Sequence, residues 1–428
     1  MNAEPSNGPR RVNVADETRR RILIAGGGPV GLLCAWLLGR QGLPIRLFEA
    51  SPEFQSDPRA ATAQPATLDL LSDDGLSDDM ARFGLIAPVF QFWDRPNRDK
   101  VAEFDHAVLK NDTQHPYVVQ CEQFKTSRLI FERLLRLSNV EVFFGHAVQG
   151  VTQHGNAVTI EVCGPDGRQS HGGAFLIGAD GGRSAVRKQV GIAFEGFTWP
   201  ERFLVLTTPF DFGAAFGVCA RNYFADPHEW CACFKVSADG PPGLWRAVFP
   251  ADGNSPDEQL LSDAASEQRL QKFFPTARPY EIVHRNLYVT HQRVAATFRA
   301  GRVLLAGDAA HINNPLGGMG LNSGLQDAAN LAEKLVAIML NHTPDTLLDL
   351  YNLQRRTVAT EYVQELSIAN KKRLEERDPE MRRRNLNELR ETAADPQRAR
   401  QFLLRTSMIA SQRRVAQMTL GAGGTASP

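Results

Sequence analysis

The chain has 428 residues, with 48 lysines and arginines balanced by 48 aspartates and glutamates, so its formal net charge is zero. That balance argues against a general nucleic-acid or membrane-surface binder, and no apolar run approaches the roughly 20 residues that a bilayer-spanning helix needs. The length exceeds the usual single core, which predicts two closely packed domains; the six scattered cysteines read as free thiols of a reducing cytoplasm.

Residues 1–19 are polar, lack the apolar core of a signal peptide and are expected to be a disordered arm. Arg21 to Ala25 reads as a continuous apolar strand and runs straight into Gly26-Gly27-Gly28-Pro29-Val30-Gly31. The helix that follows is expected to stop at Gly42, and a second strand, Pro44 to Phe48, ends on Glu49. This is the G-x-G-x-x-G dinucleotide arrangement in its required strand–turn–helix–strand context. Gly26 makes the tight turn, Gly28 admits a pyrophosphate and Gly31 lets helix and strand approach. Val30 belongs to the same turn, and Glu49 is placed to accept from an adenosine ribose hydroxyl.

A polar loop leads to Arg59, for which a plain surface arginine is the alternative reading. Thr67 to Leu71 looks helical, and residues 87–115 look irregular. Gln123 to Leu137 reads as an amphipathic helix, Val140 to Phe144 and Val158 to Val162 as strands. Phe175 to Ala179 is a third buried strand, running into Asp180-Gly181-Gly182-Arg183. That segment is either a second nucleotide-facing turn or an ordinary Asp-Gly turn with Arg183 and Arg187 on a solvated helix face. From Arg202 to Val283 the text alternates and is rich in aromatics, which predicts an antiparallel sheet able to roof a pocket with one face. Cys231 and Cys233, two apart, share a face of one strand.

Gly301 to Leu335 is the most informative stretch. A short buried strand, Arg302 to Ala306, breaks at Gly307-Asp308; a loop rich in glycine, asparagine and proline follows, and a helix opens near Gly320. A helix opening behind glycines presents unpaired N–H groups and its positive dipole end to an anionic ligand. Asp308, at the end of a parallel strand, can accept from a polyol hydroxyl; the alternative is a turn residue. Two helical segments starting at Asp345 and Tyr351 run to Arg377, and Asp378-Pro379 and Asp395-Pro396 each read as an N-cap followed by proline at the first helical position. Residues 421–428 form a flexible tail.

GGGPVG with Glu49, GADGGRSAVR and GRVLLAGDAAHINNPLGGMGLNSGLQDA together resemble the single-component, FAD-dependent aromatic hydroxylases of the para-hydroxybenzoate hydroxylase type, over roughly residues 20–370. The resemblance implies an α/β fold. A Rossmann-like FAD-binding domain of the three-layer glutathione-reductase type occupies 20–85, 115–190 and 285–345. An interleaved antiparallel-sheet substrate domain occupies 86–114 and 191–284, and a C-terminal helical region 346–420. It implies that Arg59 contacts flavin and pyridine nucleotide, that Gln123 and Arg128 form a Gln-x4-Arg helix start at the cofactor, and that Asp180 serves both FAD and NAD(P)H. Asp308 would hold the ribityl chain, Pro315 would flank the reactive edge of the flavin, and Gly320, Leu321 and Asn322 would face its pyrimidine. The implied activity uses NADH or NADPH and O2 to hydroxylate a phenolic or N-heteroaromatic small molecule through a flavin C4a-hydroperoxide, in a cytoplasmic monomer or homodimer, without metal. Tyr223, His228 and Arg246 are candidates for the substrate side on residue type alone.

Other outcomes on the same fold are epoxidation, dehydrogenation or halogenation, although the paired-tryptophan signature of flavin halogenases is absent. A two-Rossmann disulfide reductase would need a second G-x-G-x-x-G and a redox cysteine pair. A plain NAD dehydrogenase would leave the 308–322 motif without a purpose, and a non-catalytic flavin sensor would not oxidise NAD(P)H. No lysine or arginine lies between Glu49 and Arg59, so no 2′-phosphate clamp is evident, which leans to NADH.

Overall fold

The computed structural model describes residues 20–54 and 60–420. Ile22–Ala25, Phe175–Gly178 and Val303–Leu305 are wholly buried strands, which is why they read as unbroken apolar runs. With Ile45–Glu49 and Val140–Phe144 they form the parallel body of a six-stranded sheet, closed at one edge by the antiparallel pair of Arg299–Ala300 with Val303–Leu305. The helices Pro29–Gly39 and Gly320–Asn341 pack against each other through this core. The first of them stops three residues before Gly42, which takes its positive φ of 81° in the turn that follows rather than as the cap.

The second large element is an eight-stranded sheet. In order across it lie His311–Ile312, His284–Ala295, Phe194–Thr208, Leu244–Ala251, Cys231–Val236, Arg221–Ala225, Val89–Asp94 and Asp99–Asp105. Two expectations change here. Residues 87–115 are not irregular: Val89–Asp94 and Asp99–Asp105 are strands, the first parallel to Arg221–Ala225, a pairing between segments so far apart that local text does not announce it. Likewise His284–Ala295, read as the lead back into the nucleotide-binding part, pairs along Phe194–Thr208 and belongs to this sheet.

Side chains alternate cleanly across the sheet. Phe203, Val205, Tyr223, Ala232 and Val248 share one face with Phe90 and Phe92. Leu204, Leu206, Phe224, Cys231, Cys233 and Phe249 share the other, where the helix Asp263–Phe273 covers them with Leu270 and Phe273. Cys231 and Cys233 are therefore buried together on the far face, and all six cysteines are free. At the C-terminal end, Leu347–Val358, the wide-turn stretch Ala359–Gln364 and Glu365–Glu375 run on as one continuous helical stretch, not two segments. Asp378 caps its helix through Met381 N–H, and Asp395 accepts from Gln397 and Arg398 N–H, as read from the Asp-Pro pairs. No helix among the described residues is long and apolar enough to cross a membrane.

Candidate active site

Three strand ends converge on one edge of the parallel sheet. At the first, Gly26 adopts φ 105°, and a Cβ there would lie 2.2 Å from the Ala179 carbonyl oxygen. A Cβ on Gly31 would lie 1.9 Å from the Gly26 carbonyl oxygen, so the helix can approach the strand only without it. Gly28 is different: no atom of the described residues lies within 4 Å of its Cβ position. It precedes the helix as an N-cap without a side-chain cap, so the N–H groups of the first turn after Pro29 take no cap hydrogen bond. Glu49 accepts from Gly27 N–H at 2.5 Å and from Ser51 N–H at 2.8 Å, which fixes its half-buried carboxylate beside the glycine turn. Val30 has another job. Its Cγ2 would lie 2.8 Å from a Cβ on Gly307 and 2.7 Å from one on Gly324, so it packs the first turn against the third.

At the second strand end, Asp180 accepts from Ser184 Oγ at 2.5 Å and Val186 N–H at 3.0 Å, and thereby holds the start of the helix Ala185–Gln189. Arg187 is not on a solvated face. It is buried, stacks 3.7 Å from the Phe194 ring centroid, and donates to the Ala309 and Gly182 carbonyls, each at 2.8 Å, tying second turn to third; Arg183 is exposed. Gln123 is half-buried and its N–H donates to Ala60 O at 2.8 Å, while Arg128 is exposed and lies over Phe124. Arg59 lies outside the described residues.

The third end carries Asp308, exposed on a single tight turn, Gly307–Ala309. Beneath it is a feature that sequence reading missed. Asp327, wholly buried on the long helix, accepts from Gly307 N–H at 3.0 Å, His311 Nε2–H at 2.8 Å and Arg355 Nε–H at 2.6 Å. Burial would raise its pKa, but His311 and Arg355 outweigh burial and hold it below the ordinary carboxylate value. The same network fixes the 307–311 turn to a C-terminal helix. Both His311 and Asp327 stand inside the GDAAH…GLQDA text, yet residue type alone did not pair them.

The helix Gly320–Asn341 opens with no side-chain cap, leaving its first N–H groups toward the 313–319 loop. Gly320 and Leu321 are half-buried there. Asn322 is buried, and its side chain is already committed. It accepts from Gln64 N–H at 2.7 Å and donates to Thr62 O at 2.7 Å and Gly318 O at 2.6 Å, bracing the helix start rather than reaching outward.

Beside the 313–319 loop a small cavity lies under the eight-stranded sheet. The loop side is formed by Gln64, Gly317 and Met319, the sheet side by Phe90, Phe92, Arg221 and Tyr223 with His106, and the far wall by Asn370, Phe402 and Thr406. Tyr223 stacks on Phe92 with centroids 5.2 Å apart. His106 is buried, and burial foremost, with Arg221 nearby, lowers its pKa to about 4, so the ring is neutral at physiological pH. Its Nδ1–H donates to Pro88 O at 2.7 Å, since a carbonyl can only accept.

Of the three substrate-side candidates only Tyr223 lines this cavity. His228 is exposed on the turn after the strand, in a separate groove with Trp199 and Lys371. Arg246 is buried on the cavity face of the sheet but stands opposite Thr207 and Phe234, away from the lining. Pro315 is exposed, two residues from Gly317 on the loop that bounds the cavity. His106 and Arg221 were passed over because nothing local marks them: one sits in a stretch read as irregular, the other at the start of an aromatic strand.

A model of the family described as FAD binding domain matches residues 19–366. The chain is 38% identical over 395 residues to the para-nitrophenol 4-monooxygenase of Pseudomonas sp. (strain WBC-3), covering 91% of this chain and 95% of that one. It is 33% identical over 362 residues to the 6-hydroxy-3-succinoylpyridine 3-monooxygenase HspB of Pseudomonas putida (strain DSM 28022 / S16), covering 84% and 90%. The crystal structure of p-nitrophenol 4-monooxygenase PnpA from Pseudomonas putida DLL-E4 superposes with a TM-score of 0.85 at 35% identity, covering 90% of this chain and 96% of that one.

Proposed function

We propose that this chain, which belongs to the FAD binding domain family of flavoprotein aromatic monooxygenases, hydroxylates a single-ring phenol or hydroxylated N-heteroaromatic at the expense of NAD(P)H and O2. Bound FAD supplies the redox chemistry, accepting hydride from the nicotinamide and activating oxygen. The residues of the chain supply binding, orientation and charge. The open position at Gly28 and the uncapped start of the helix Pro29–Gly39 suit a pyrophosphate. Glu49 suits a ribose hydroxyl at the end of its strand, and Asp308 a hydroxyl of the ribityl chain. The uncapped amides of Gly320–Asn322 suit negative charge on the ring system of the cofactor. We assign Asp180 and Arg59 to the nicotinamide as well as to FAD, and Gln123 and Arg128 to the cofactor, with NADH or NADPH as the donor. The free cysteines favour a cytoplasmic enzyme.

The single observation that carries the reading is the common wall. The loop that feeds the uncapped helix start, through Gly317 and Met319, also bounds the aromatic cavity, so one segment addresses both a flat anionic cofactor and a ring. Phe90, Phe92, Tyr223 and Phe402 line the cavity, which suits an aromatic ring. Its phenylalanines exclude water, and Pro315 lies beside it, where φ is fixed and the preceding residue is held extended. The relatives are named for ring monooxygenation, so hydroxylation stands ahead of epoxidation, dehydrogenation or halogenation. The test is a purified protein assayed for colour, for NAD(P)H oxidation with and without a panel of phenols and hydroxypyridines, and for product mass. Colourless protein, or no aromatic that stimulates oxidation and gains one oxygen, sinks the proposal.

A further inference from the structure

We infer that Arg221 is the specificity-determining cation of the ring cavity, and that the substrate enters carrying an anionic oxygen on its single ring, as an ionised phenol does. The inference rests on the cavity being the ring site proposed above. Arg221 is 4% exposed, and its Nε and one terminal nitrogen are buried without a hydrogen-bond partner. It makes no ion pair among the described residues. Its guanidinium lies 5.2 Å from the centroid of Phe90, and the same ring lies 5.6 Å from His106, so the cation stands against an aromatic wall of the cavity. A buried guanidinium left so is costly and calls for a partner from outside the protein.

Among the described residues, none that lines the cavity supplies a counter-charge. The other two titratable groups lining the cavity, Tyr223 and His106, are a phenol and a neutral imidazole. Glu103, paired with Gln91 on the opposite face of the sheet from Phe90 and Phe92, accepts from Gln91 at 2.7 Å and from Lys100 at 3.0 Å, near solvent. Asp94 is engaged by Arg382 at 2.5 Å. Among the described lining residues Arg221 is therefore the one cation, with no carboxylate beside it. An arriving anion cancels it and meets N–H donors in a planar fork, whereas a neutral ring leaves both nitrogens unpaired.

Flavin-loaded wild type, Arg221→Met and Arg221→Lys are titrated in one mildly alkaline buffer, with flavin absorbance reporting binding. Three probes are used: 4-nitrophenol, ionised in that buffer; 4-nitroanisole, its methyl ether, which cannot ionise; and benzoate, which carries its anionic oxygens on a carboxylate. In wild type the nitrophenolate binds at least about tenfold tighter than the ether, the scale of a hydrogen bond to a charged group. Arg221→Met weakens the nitrophenolate by about tenfold to a hundredfold and leaves the ether within about twofold, while Arg221→Lys falls between. Benzoate tells a phenolate site from a carboxylate site; Arg221-dependent binding of either anion supports the inference. Wild type that binds the ether as tightly as both anions, or flavin-replete Arg221→Met that binds the nitrophenolate like wild type, overturns it. Should Arg221→Met fail to hold flavin, the wild-type and Arg221→Lys titrations decide the matter alone. If none of the three probes perturbs a bound flavin, the ring-site reading fails and takes this inference with it; loss of discrimination alone removes only the role of Arg221.

Discussion

Replacing Gly28 by alanine separates cofactor binding from folding. At φ −72° and ψ 177° the backbone of Gly28 is extended, a conformation alanine adopts without strain, and no atom of the described residues lies within 4 Å of the added methyl. The apoprotein should therefore be as stable as wild type or gain roughly 0.4–1 kcal/mol from a less flexible unfolded chain. A pyrophosphate seated on the helix start would meet that methyl and be held off the amides. Losing one charge-assisted hydrogen bond costs about 1.5–3 kcal/mol, which is about tenfold to a hundredfold in Kd for FAD. Gly31→Ala is the control. Its methyl would lie 1.9 Å from the Gly26 carbonyl oxygen, so the helix must back away, at a cost of about 1–3 kcal/mol of apoprotein stability as well as flavin affinity. Flavin fluorescence titration reads the affinity and urea unfolding of the apoprotein reads the stability. Wild-type FAD affinity in Gly28→Ala would refute the placement of the pyrophosphate.

Three further outcomes follow from the same geometry. Asp327→Asn leaves the buried Arg355 without its counter-ion, so the apoprotein should lose about 3–5 kcal/mol in urea unfolding; a loss below about 1 kcal/mol would show the network to be dispensable. Asp308→Ala removes the carboxylate from the third turn, so it should lower FAD affinity by about tenfold, read by flavin fluorescence titration; wild-type affinity would remove Asp308 from the cofactor site. His106 has its folded pKa lowered to about 4, so as pH falls below its unfolded value of about 6.5 the unfolded chain takes up the proton first and stability drops. That contribution is complete above about pH 6.5, shrinks by roughly 2 kcal/mol by pH 5, and is lost toward pH 4; His106→Phe should flatten this part of the stability–pH curve, and an unchanged slope counts against a neutral buried imidazole.

The nucleotide-binding half was legible because each of its signals is local. A buried strand, a glycine turn and a helix follow one another within a dozen residues, and the chemistry is carried largely by backbone that glycines 26, 28 and 31 expose. The ring cavity was not legible, because no two of its walls are neighbours in sequence. Phe90 and Phe92 come to Tyr223 only through a parallel pairing between strands about 130 residues apart, and His106 comes in on the turn after the next strand. Residue type suggested His228 as readily as Tyr223, but alternation aims Tyr223 at the cavity, while the turn after the strand carries His228 to the surface. Arg187 and Asn322 show the reverse. Their motifs were seen, but their side chains serve to join segments.

The C-terminal helices read from sequence as a separate region, yet they complete the aromatic cavity. Phe402 and Thr406 line the cavity from the helix Pro396–Thr406, and Asn370 from Glu365–Glu375. They are held there by ion pairs across the fold, Arg400 with Asp112 and Arg382 with Asp94. The 313–319 loop is gripped from both sides in the same way. Asn314, wholly buried, donates through its side chain to Gln292 Oε1 on the large sheet at 3.2 Å and to the Ser367 carbonyl on the C-terminal helix at 3.1 Å. Pro315 thus follows a residue fixed to the eight-stranded sheet and precedes the glycines that lead to the helix start. A flavin on those amides and a ring under that sheet would be registered to each other through one short, doubly anchored segment. Ring position relative to the cofactor would then be set by Asn314 and its partners, and the charge of the ring by Arg221, two determinants on different elements that can vary independently.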